Sequence, residues 1–315
     1  MVTVDLITGF LGAGKTTFIL RYLHFLQKQG LRVKMIENEF GDVSIDSQLL
    51  TEEHCEIADL TGLCMCCVGK DAFIRLLQES AASGCDRILV EPSGIYDVDE
   101  FFEVLSLPQI SSLCEIGSII TIADPKGMEY LTSEARYLLF AQLLASGIVL
   151  LSKTQDLTKA EMQQTRNALD QLMIGHGCEC GLPADLCLKP WDQLTDMDFE
   201  DIMDAGYCRI VHDREHFSHS ETFGSTAIIG HCIDEADLRS RIGQLLDSPS
   251  CGRVYRVKGY VRADSGVLFE INCTVNTWSI KEAGAKEEVL VVIGQQLRER
   301  EIRVIFRSNR KELPQ

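Results

Sequence analysis

The chain has 315 residues, of which 45% are hydrophobic and 24% are charged, so it can bury the core of one large domain and a smaller one. Its 30 basic and 47 acidic residues give a formal net charge of −17, which argues against a nucleic-acid-binding or anionic-membrane surface. It contains no run of about 18 apolar residues and no charged n-region, so we expect no membrane span, no signal peptide and a cytoplasmic location.

The first 205 residues or so alternate apolar, strand-like runs with helical patterns, which is typical of a mostly parallel sheet with helices on both faces. The predicted strands are 2–8, 31–37, 55–60, 87–91, 114–123 and 147–151, and the predicted helices are 16–29, 70–82, 133–145 and 158–173. A polar segment at 206–224 interrupts this alternation and reads as a linker.

A different pattern follows the linker. A strand-like run at 225–233 and a helical pattern at 235–246 precede an antiparallel meander of short alternating strands. The meander covers 253–262, 267–274 and 277–281, and further elements at 289–293 and 302–307 end the chain. We therefore predict a smaller α+β domain over 225–315.

A glycine-rich turn, Gly9-Phe-Leu-Gly-Ala-Gly-Lys-Thr16, lies between the first predicted strand and the first predicted helix. Strand, turn and helix in this order predict a phosphate loop, in which backbone N–H groups and the helix dipole face an anionic phosphate. We expect Lys15 to contact the β- and γ-phosphates and the Thr16 hydroxyl to bind Mg²⁺. The predicted nucleotide-binding residues of the loop are Gly9, Gly12, Ala13, Gly14, Lys15, Thr16 and Thr17.

A second acidic motif follows a buried strand, where Glu91 precedes Pro92-Ser-Gly94. Ligands of such sheets bind at the carboxyl ends of the strands, so we expect Glu91 to hold Mg²⁺ or its water. Gly94 would let the backbone approach the γ-phosphate. The alternative is a strand-end carboxylate that faces solvent. We name Lys15 and Glu91 as catalytic residues.

Thirteen cysteines are a high and odd number for a chain of this length, which favours reduced thiols and a metal role for some of them. Cys64-Met-Cys66-Cys67 can supply three thiolate ligands, which favour zinc or Cu(I) over Mg²⁺. A buried thiol cluster and a redox pair are the alternatives. Cysteines beside apolar stretches are expected to be core residues; these are Cys85, Cys114, Cys232 and Cys273.

These motifs together resemble those of the CobW-type GTPases, P-loop proteins related to the urease and hydrogenase nickel chaperones UreG and HypB. The resemblance covers essentially the whole chain. Its matching segments are the phosphate loop at 9–17, Asn38-Glu-Phe-Gly41 with Asp46 as a switch segment, the C-x-C-C motif at 64–67, Glu91–Gly94, and Tyr255–Tyr260 at the start of the C-terminal domain.

The resemblance implies an α/β P-loop GTPase domain over 1–205, a linker over 206–224 and a CobW-like α+β domain over 225–315. It implies slow GTP hydrolysis coupled to delivery of a transition metal, zinc or cobalt, to a client protein or cofactor pathway. GTP, Mg²⁺ and Zn²⁺ or Co²⁺ are the implied ligands, and a homodimer is a possible assembly. Glu39 would be a further catalytic residue that joins the cysteine ligands or contacts Mg²⁺.

The resemblance implies a switch in which γ-phosphate contacts order residues 38–46 and the cysteine loop, and hydrolysis releases them. An alternative function is that of an ATP-using small-molecule kinase, which would bind its nucleotide at the same phosphate loop. Another is a metal buffer or thiol redox sensor in which nucleotide gates the cysteines.

The expected guanine-reading element N-K-x-D is Ser152-Lys-Thr-Gln155 in this chain, with Asp156 one position late. We name Ser152, Lys153 and Gln155 as nucleotide-binding residues and expect the Lys153 stem to cover the base. The missing carboxylate at Gln155 leaves the choice between GTP and ATP open. Pro190-Trp191 is either a base-contacting loop or a surface loop.

Two further groups fall outside the family pattern. His212, His216 and His219 form either a weak metal-collecting tract or part of a polar linker. The other group comprises Cys178 and Cys180, with Cys187 nearby; these are a second soft-metal site, a redox pair or ordinary loop thiols.

Overall fold

A computed structural model describes residues 1–38, 56–59, 69–178, 181–182, 184–210, 222–229, 232–233, 235–284 and 288–306. The described residues form two compact units, one within 1–210 and one within 222–306. The domain boundaries given above stay a prediction.

The described part of the first unit contains a seven-stranded sheet in which every strand pair is parallel. The strand order is β3-β2-β4-β1-β5-β6-β7, so all the strands end at one edge of the sheet. The strands are β1 Val2–Thr8, β2 Val33–Glu37, β3 Glu56–Asp59, β4 Arg87–Glu91, β5 Cys114–Ala123, β6 Ile148–Leu151 and β7 Asp185–Cys187.

Helices cover both faces of this sheet. They are α1 Lys15–Lys28, α2 Gly69–Ala82, α3 Val98–Leu105, α4 Pro108–Ser111, α5 Ser133–Ala145, α6 Lys159–Gly175 and α7 Asp196–Met203. Successive side chains of a strand point to opposite faces. In β4, Val90 packs in one cluster with Phe73 of α2, and Leu89 packs in the other with Phe18 of α1. The predicted α/β fold is confirmed.

A buried ion pair between Asp5 and Arg87 connects β1 to β4, and a hydrogen bond connects Asp5 to β5. Asp5 is fully buried and accepts hydrogen bonds from Tyr22 Oη at 2.9 Å, Arg87 Nη1 at 2.5 Å and the Ser118 backbone N–H at 2.9 Å. Burial raises the pKa of Asp5, and the nearby Arg87 guanidinium opposes that shift. A side chain at Gly117 would lie 2.4 Å from Asp5 Oδ1, so glycine is needed beside this carboxylate.

The second unit contains an antiparallel sheet covered by two helices. Its main strand order is β12-β11-β10-β13-β8, and β9 pairs in parallel with β10. The elements are β8 Phe223–Ile229, β9 Cys232–Ile233, α8 Glu235–Asp247, β10 Arg253–Ala263, β11 Leu268–Thr274, β12 Trp278–Ala283, β13 Val289–Gln295 and α9 Glu299–Phe306. Ile242 of α8 and Ile302 of α9 pack with Val257, Ile271 and Val292 of the sheet. This confirms the predicted α+β architecture.

Several short elements were not predicted, namely β7, α3, α4 and α7. The predicted strand at 225–233 is two strands, β8 and β9. Cys85, Cys114 and Cys273 are buried, as expected, whereas the Cys232 side chain is not among the described ones. Within the described ranges, no helix combines the length and apolar content needed to cross a bilayer.

Candidate nucleotide-binding site

The phosphate loop connects β1 to α1 at the carboxyl edge of the parallel sheet. Gly9 has a φ of 139°, and a Cβ at this position would lie 2.3 Å from the Ile122 carbonyl oxygen of β5. Gly14, the residue before α1, has a φ of 105° in the left-handed region. The local backbone therefore needs glycine at both positions, as the motif predicts.

The chemically active side chains of the loop are held close to Glu91. Lys15 is 7% exposed, and its Nζ donates to the Gly9 carbonyl at 3.2 Å. Thr16 Oγ1 lies 3.2 Å from Glu91 Oε1 and 3.4 Å from Oε2. The Asn38 backbone N–H donates to the Glu91 carbonyl at 2.8 Å, which joins the ends of β2 and β4. A hydroxyl beside a carboxylate is a donor set that fits Mg²⁺, which prefers oxygen ligands.

Gly94 packs directly on the phosphate loop. A Cβ on Gly94 would lie 2.5 Å from the Leu11 nitrogen and 2.8 Å from the Phe10 carbonyl carbon. Gly94 lies in a turn that is closed by the Tyr96 N–H, which donates to the Ser93 carbonyl at 3.0 Å. The structure thus places Thr16, Glu91 and Gly94 around one end of the loop.

A cavity of about 330 Å³ opens on the other side of the loop. Its lining includes predicted residues and three that the sequence analysis did not name as nucleotide-binding: Arg21, Thr154 and Asp192. The predicted residues in the lining are Ala13, Gly14, Thr17, Ser152, Lys153 and Gln155, together with Trp191. This location and these residues are suited to a nucleoside. A second cavity of about 380 Å³, beside α5 and α6, is lined by none of the predicted site residues.

Lys153 joins this cavity to the phosphate loop. It adopts a left-handed conformation with a φ of 55°, and its Nζ donates to the Gly12 carbonyl at 3.1 Å. The same ammonium pairs with Asp124 Oδ2 at 2.6 Å. Asp124 directly follows β5, and the sequence analysis did not name it as a site residue. Its position at the end of a strand was the signal that could have identified it. The Ser152 side chain is buried and donates to the Ala123 carbonyl at 3.4 Å.

Trp191 forms one wall of the cavity. A Cβ on Gly14 would lie 3.4 Å from Trp191 Cη2, and the indole packs edge-on against Phe18 at a centroid distance of 5.7 Å. Arg21 Nη1 donates to the Trp191 carbonyl at 3.2 Å and holds this turn against α1. The segment at Pro190-Trp191 is therefore part of the cavity wall.

The position that the sequence predicts to read the base carries an amide. Gln155 is exposed at the cavity, and Asp192 adds a carboxylate to the lining. The Asp156 side chain lies outside the described ones. Which of these groups reads a base stays a prediction.

Most of the predicted transition-metal ligands lie outside the described residues. These are Glu39, Cys64, Cys66, Cys67, Cys180, His212, His216 and His219, and the predicted switch segment continues from Asn38 into the same unplaced part. Cys178 and Cys187 are described and partly exposed, and burial raises the pKa of the Cys187 thiol. In the part of the chain that the structure covers, no group of three His, Cys, Asp or Glu side chains is placed to hold a metal.

Two family profiles match the chain. The family described as "CobW/HypB/UreG, nucleotide-binding domain" matches residues 3–176, and "Cobalamin synthesis protein cobW C-terminal domain" matches residues 227–309. Together they span both units described above.

Similar proteins include Zinc chaperone YeiR of Escherichia coli (strain K12), 33% identical over 285 residues that cover 85% of this chain and 85% of YeiR. Zinc chaperone CobW of Pseudomonas aeruginosa is 33% identical over 132 residues, which cover 38% of this chain and 35% of that protein. Zinc-regulated GTPase metalloprotein activator 1 of Schizosaccharomyces pombe is 27% identical over 177 residues, which cover 53% of this chain and 43% of that protein.

Two similar solved structures are also known. Zn(II)-bound YjiA GTPase from E. coli is 20% identical, with a TM-score of 0.40, and the alignment covers 98% of this chain and 99% of YjiA. HypB from Helicobacter pylori in complex with nickel is 17% identical, with a TM-score of 0.40, over 64% of this chain and 83% of HypB.

Proposed function

This chain belongs to the CobW family, and we infer that it couples the binding and hydrolysis of GTP to delivery of a transition metal, zinc or cobalt, to a client protein or cofactor pathway. The observation that carries this inference is the meeting of Thr16 with Glu91 beside Lys15, at the open edge of a parallel sheet. The relatives named as zinc chaperones support zinc as the cargo.

The roles of the phosphate-side residues follow from their chemistry. The Lys15 ammonium, now on the Gly9 carbonyl, moves to the β- and γ-phosphates when nucleotide binds, because a dianionic phosphate is a stronger acceptor than a carbonyl. Thr16 and Glu91 hold Mg²⁺, which neutralises charge that develops on the phosphates. Gly94 presents its backbone to the γ-phosphate. We expect slow intrinsic turnover, because the sequence alone places no arginine finger; a client or second subunit would supply this group.

The metal cargo binds to the C-x-C-C motif. Cys64, Cys66 and Cys67 supply three thiolates, and Glu39 completes the ligand set or contacts Mg²⁺. In the sequence, Cys64–Cys67 lies between β3 and α2, and β3 pairs with β2. Glu39 follows Asn38 directly after β2, and β2 also pairs with β4, which ends at Glu91. This connection to the strand that carries Glu91 gives the nucleotide a route to the metal ligands.

The cytoplasm, where thiols stay reduced, is the proposed location.

The test is the affinity of the reduced protein for zinc and cobalt in the presence of Mg²⁺ with a non-hydrolysable GTP analogue, GDP or an ATP analogue. We expect the GTP-analogue and GDP complexes to differ about 5- to 150-fold in metal affinity, the range of ordinary allosteric coupling. Cys66→Ser should abolish tight metal binding, whereas Cys208→Ser, outside the motif, should leave it unchanged.

Equal metal affinities in all nucleotide states would overturn the delivery switch. A shift that only the ATP analogue produces would overturn guanine as the base while keeping the switch.

A further inference from the structure

Gln142 is a fully buried polar residue in the last turn of α5. Its Nε2 donates to the backbone carbonyls of Gly94 and Tyr96, both at 3.4 Å. The two carbonyls flank Ile95, within the turn that packs Gly94 against the phosphate loop. A single side chain from a distant helix therefore holds this turn at two points.

The orientation of the Gln142 amide follows from these contacts. Two carbonyl oxygens face one end of the amide, so that end must be the NH₂ donor. Oε1 is buried and has no hydrogen-bond partner among the described residues. A buried acceptor without a donor is unfavourable, so a change of the turn that offers an N–H to Oε1 would be stabilised.

The helix beneath Gln142 is itself fixed to the sheet. The Gln142 carbonyl oxygen lies 3.0 Å from Thr121 Oγ1 of β5 and 2.7 Å from Ser146 Oγ; one of these hydroxyls donates to the carbonyl and the other donates to its neighbouring hydroxyl. Thr121 and Ser146 are both fully buried, and their hydroxyls lie 2.5 Å apart. Because these bonds tie the backbone of α5 to the central sheet, the Gln142 amide is a fixed reference point for the turn.

We propose that Gln142 is a positioning residue that favours the triphosphate-bound arrangement of the Gly94 turn over the diphosphate-bound one. The proposal rests on the proposed nucleotide switch. Gly94 lies between the phosphate loop and Gln142, with Leu11 on one side and the amide on the other. When the γ-phosphate draws the Gly94 N–H toward it, the flanking carbonyls turn, and Gln142 exchanges partners so that Oε1 gains a donor.

A ligand shifts a conformational equilibrium only by its different affinity for the two states. The γ-phosphate contacts the turn and a diphosphate does not, so loss of the Gln142 amide should weaken triphosphate binding selectively. A merely structural role for Gln142 would weaken both nucleotides together or only lower the melting temperature.

The experiment measures dissociation constants for a non-hydrolysable GTP analogue and for GDP, with Mg²⁺, on the full chain. Gln142→Met keeps the length and apolar body of the side chain and removes the amide. We expect the analogue to bind about tenfold more weakly, as for one lost hydrogen bond, while GDP affinity stays within about twofold. The kcat/KM for GTP should fall with the analogue affinity, because it includes the binding of the triphosphate.

Leu143→Met is the matched control, because Leu143 is the neighbouring, fully buried residue of the same helix. It should leave the ratio of the two dissociation constants unchanged. Gln142→Asn keeps an amide but shortens its reach by one methylene, and it carries the same expectation if the methionine variant does not fold.

An unchanged ratio in the Gln142 variants, or an equal loss for both nucleotides, would overturn the proposal while wild-type binding still supports the proposed function. A wild-type chain that binds neither guanine nor adenine nucleotides would overturn the proposed function itself, and the role of Gln142 with it.

Discussion

Thr16 and Glu91 come from different elements, yet their oxygen atoms meet within 3.2 Å. A carboxylate contributes full negative charge to a magnesium site, and an amide of the same shape contributes none. We therefore expect Glu91→Gln to weaken the Mg²⁺ affinity of the nucleotide complex about 10- to 100-fold, the range found for removal of groups that support metal ligands. A Mg²⁺ titration of GTP hydrolysis measures this.

The control for that variant is Glu115→Gln, because Glu115 is an exposed residue of β5. It removes the same charge from the chain at a position far from the phosphate loop in the sequence. It should leave the Mg²⁺ midpoint of GTP hydrolysis unchanged. Equal midpoints for wild type and Glu91→Gln would remove Glu91 from the magnesium site.

Gln155 occupies the position at which the family motif has aspartate, and it is exposed at the 330 Å³ cavity beside the phosphate loop. A carboxylate there would accept two hydrogen bonds from guanine, and charge-assisted bonds of this kind are about twice as strong as neutral ones. Gln155→Asp should therefore raise GTP affinity about tenfold and leave ATP affinity nearly unchanged.

Competition binding with both nucleotides tests this expectation, with Gln163→Asp on the exposed surface of α6 as the charge-matched control. An equal gain for GTP and ATP would mean that residue 155 does not read the base. A loss of GTP affinity would point to Asp192 or Asp156 as the group already in that role.

At the scale of elements, the first turn of α7 is fixed by reciprocal hydrogen bonds. The Thr195 side chain accepts from the Asp198 N–H, and Asp198 Oδ2 accepts from the Thr195 N–H at 2.6 Å and from Lys189 Nζ at 2.6 Å. This helix carries Phe199, which stacks on Phe25 at 5.3 Å. We expect Thr195→Ala to lower the free energy of unfolding by about 1 kcal/mol at pH 7, the usual cost of losing an N-cap.

The same cap predicts a pH dependence. Hydrogen bonds from Lys189 and Thr195 lower the pKa of Asp198 to about 2. The folded state therefore binds this proton more weakly than the unfolded state, so the stabilisation is complete above the ordinary pKa and is lost as the pH falls toward about 2. Urea unfolding of wild type and Asp198→Asn should show a difference at pH 7 that shrinks below pH 4. A constant difference would contradict this.

The long elements could be predicted from the sequence because each is a long, mainly apolar stretch, as in β5 and α5. The short ones could not. β7 has only three residues, and α7 begins in an acidic segment whose helical state depends on the Thr195 cap and on Phe199 packing against α1. For such elements tertiary packing decides the structure, and local pattern carries little information.

The site divides in the same way. The phosphate loop and Glu91 could be predicted because each is identified by a contiguous motif beside a strand. Asp124, Trp191 and Gln142 come from separate elements: Trp191 could be named only as one of two alternatives, Asp124 was marked only by its place at a strand end, and nothing in the residues beside Gln142 marks it. Gln142 in particular lies in α5, a helix in which ten residues are buried. A buried polar side chain needs a hydrogen-bond partner, and here the fold brings that partner from a distant part of the chain.

Each unit has its own hydrophobic core, and the described residues that line the 330 Å³ cavity beside the phosphate loop all belong to the first unit. Ile242 is fully buried in the core of the second unit. Ile242→Ala should lower the stability of that unit by about 2–5 kcal/mol, because it leaves a cavity among packed side chains. GDP affinity should stay within about twofold, since Ile242 is not among the residues that line this cavity. Calorimetry with and without GDP measures both quantities.

A loss of GDP affinity that matches the loss of stability would contradict the expectation. It would show that nucleotide binding depends on the folded state of the second unit.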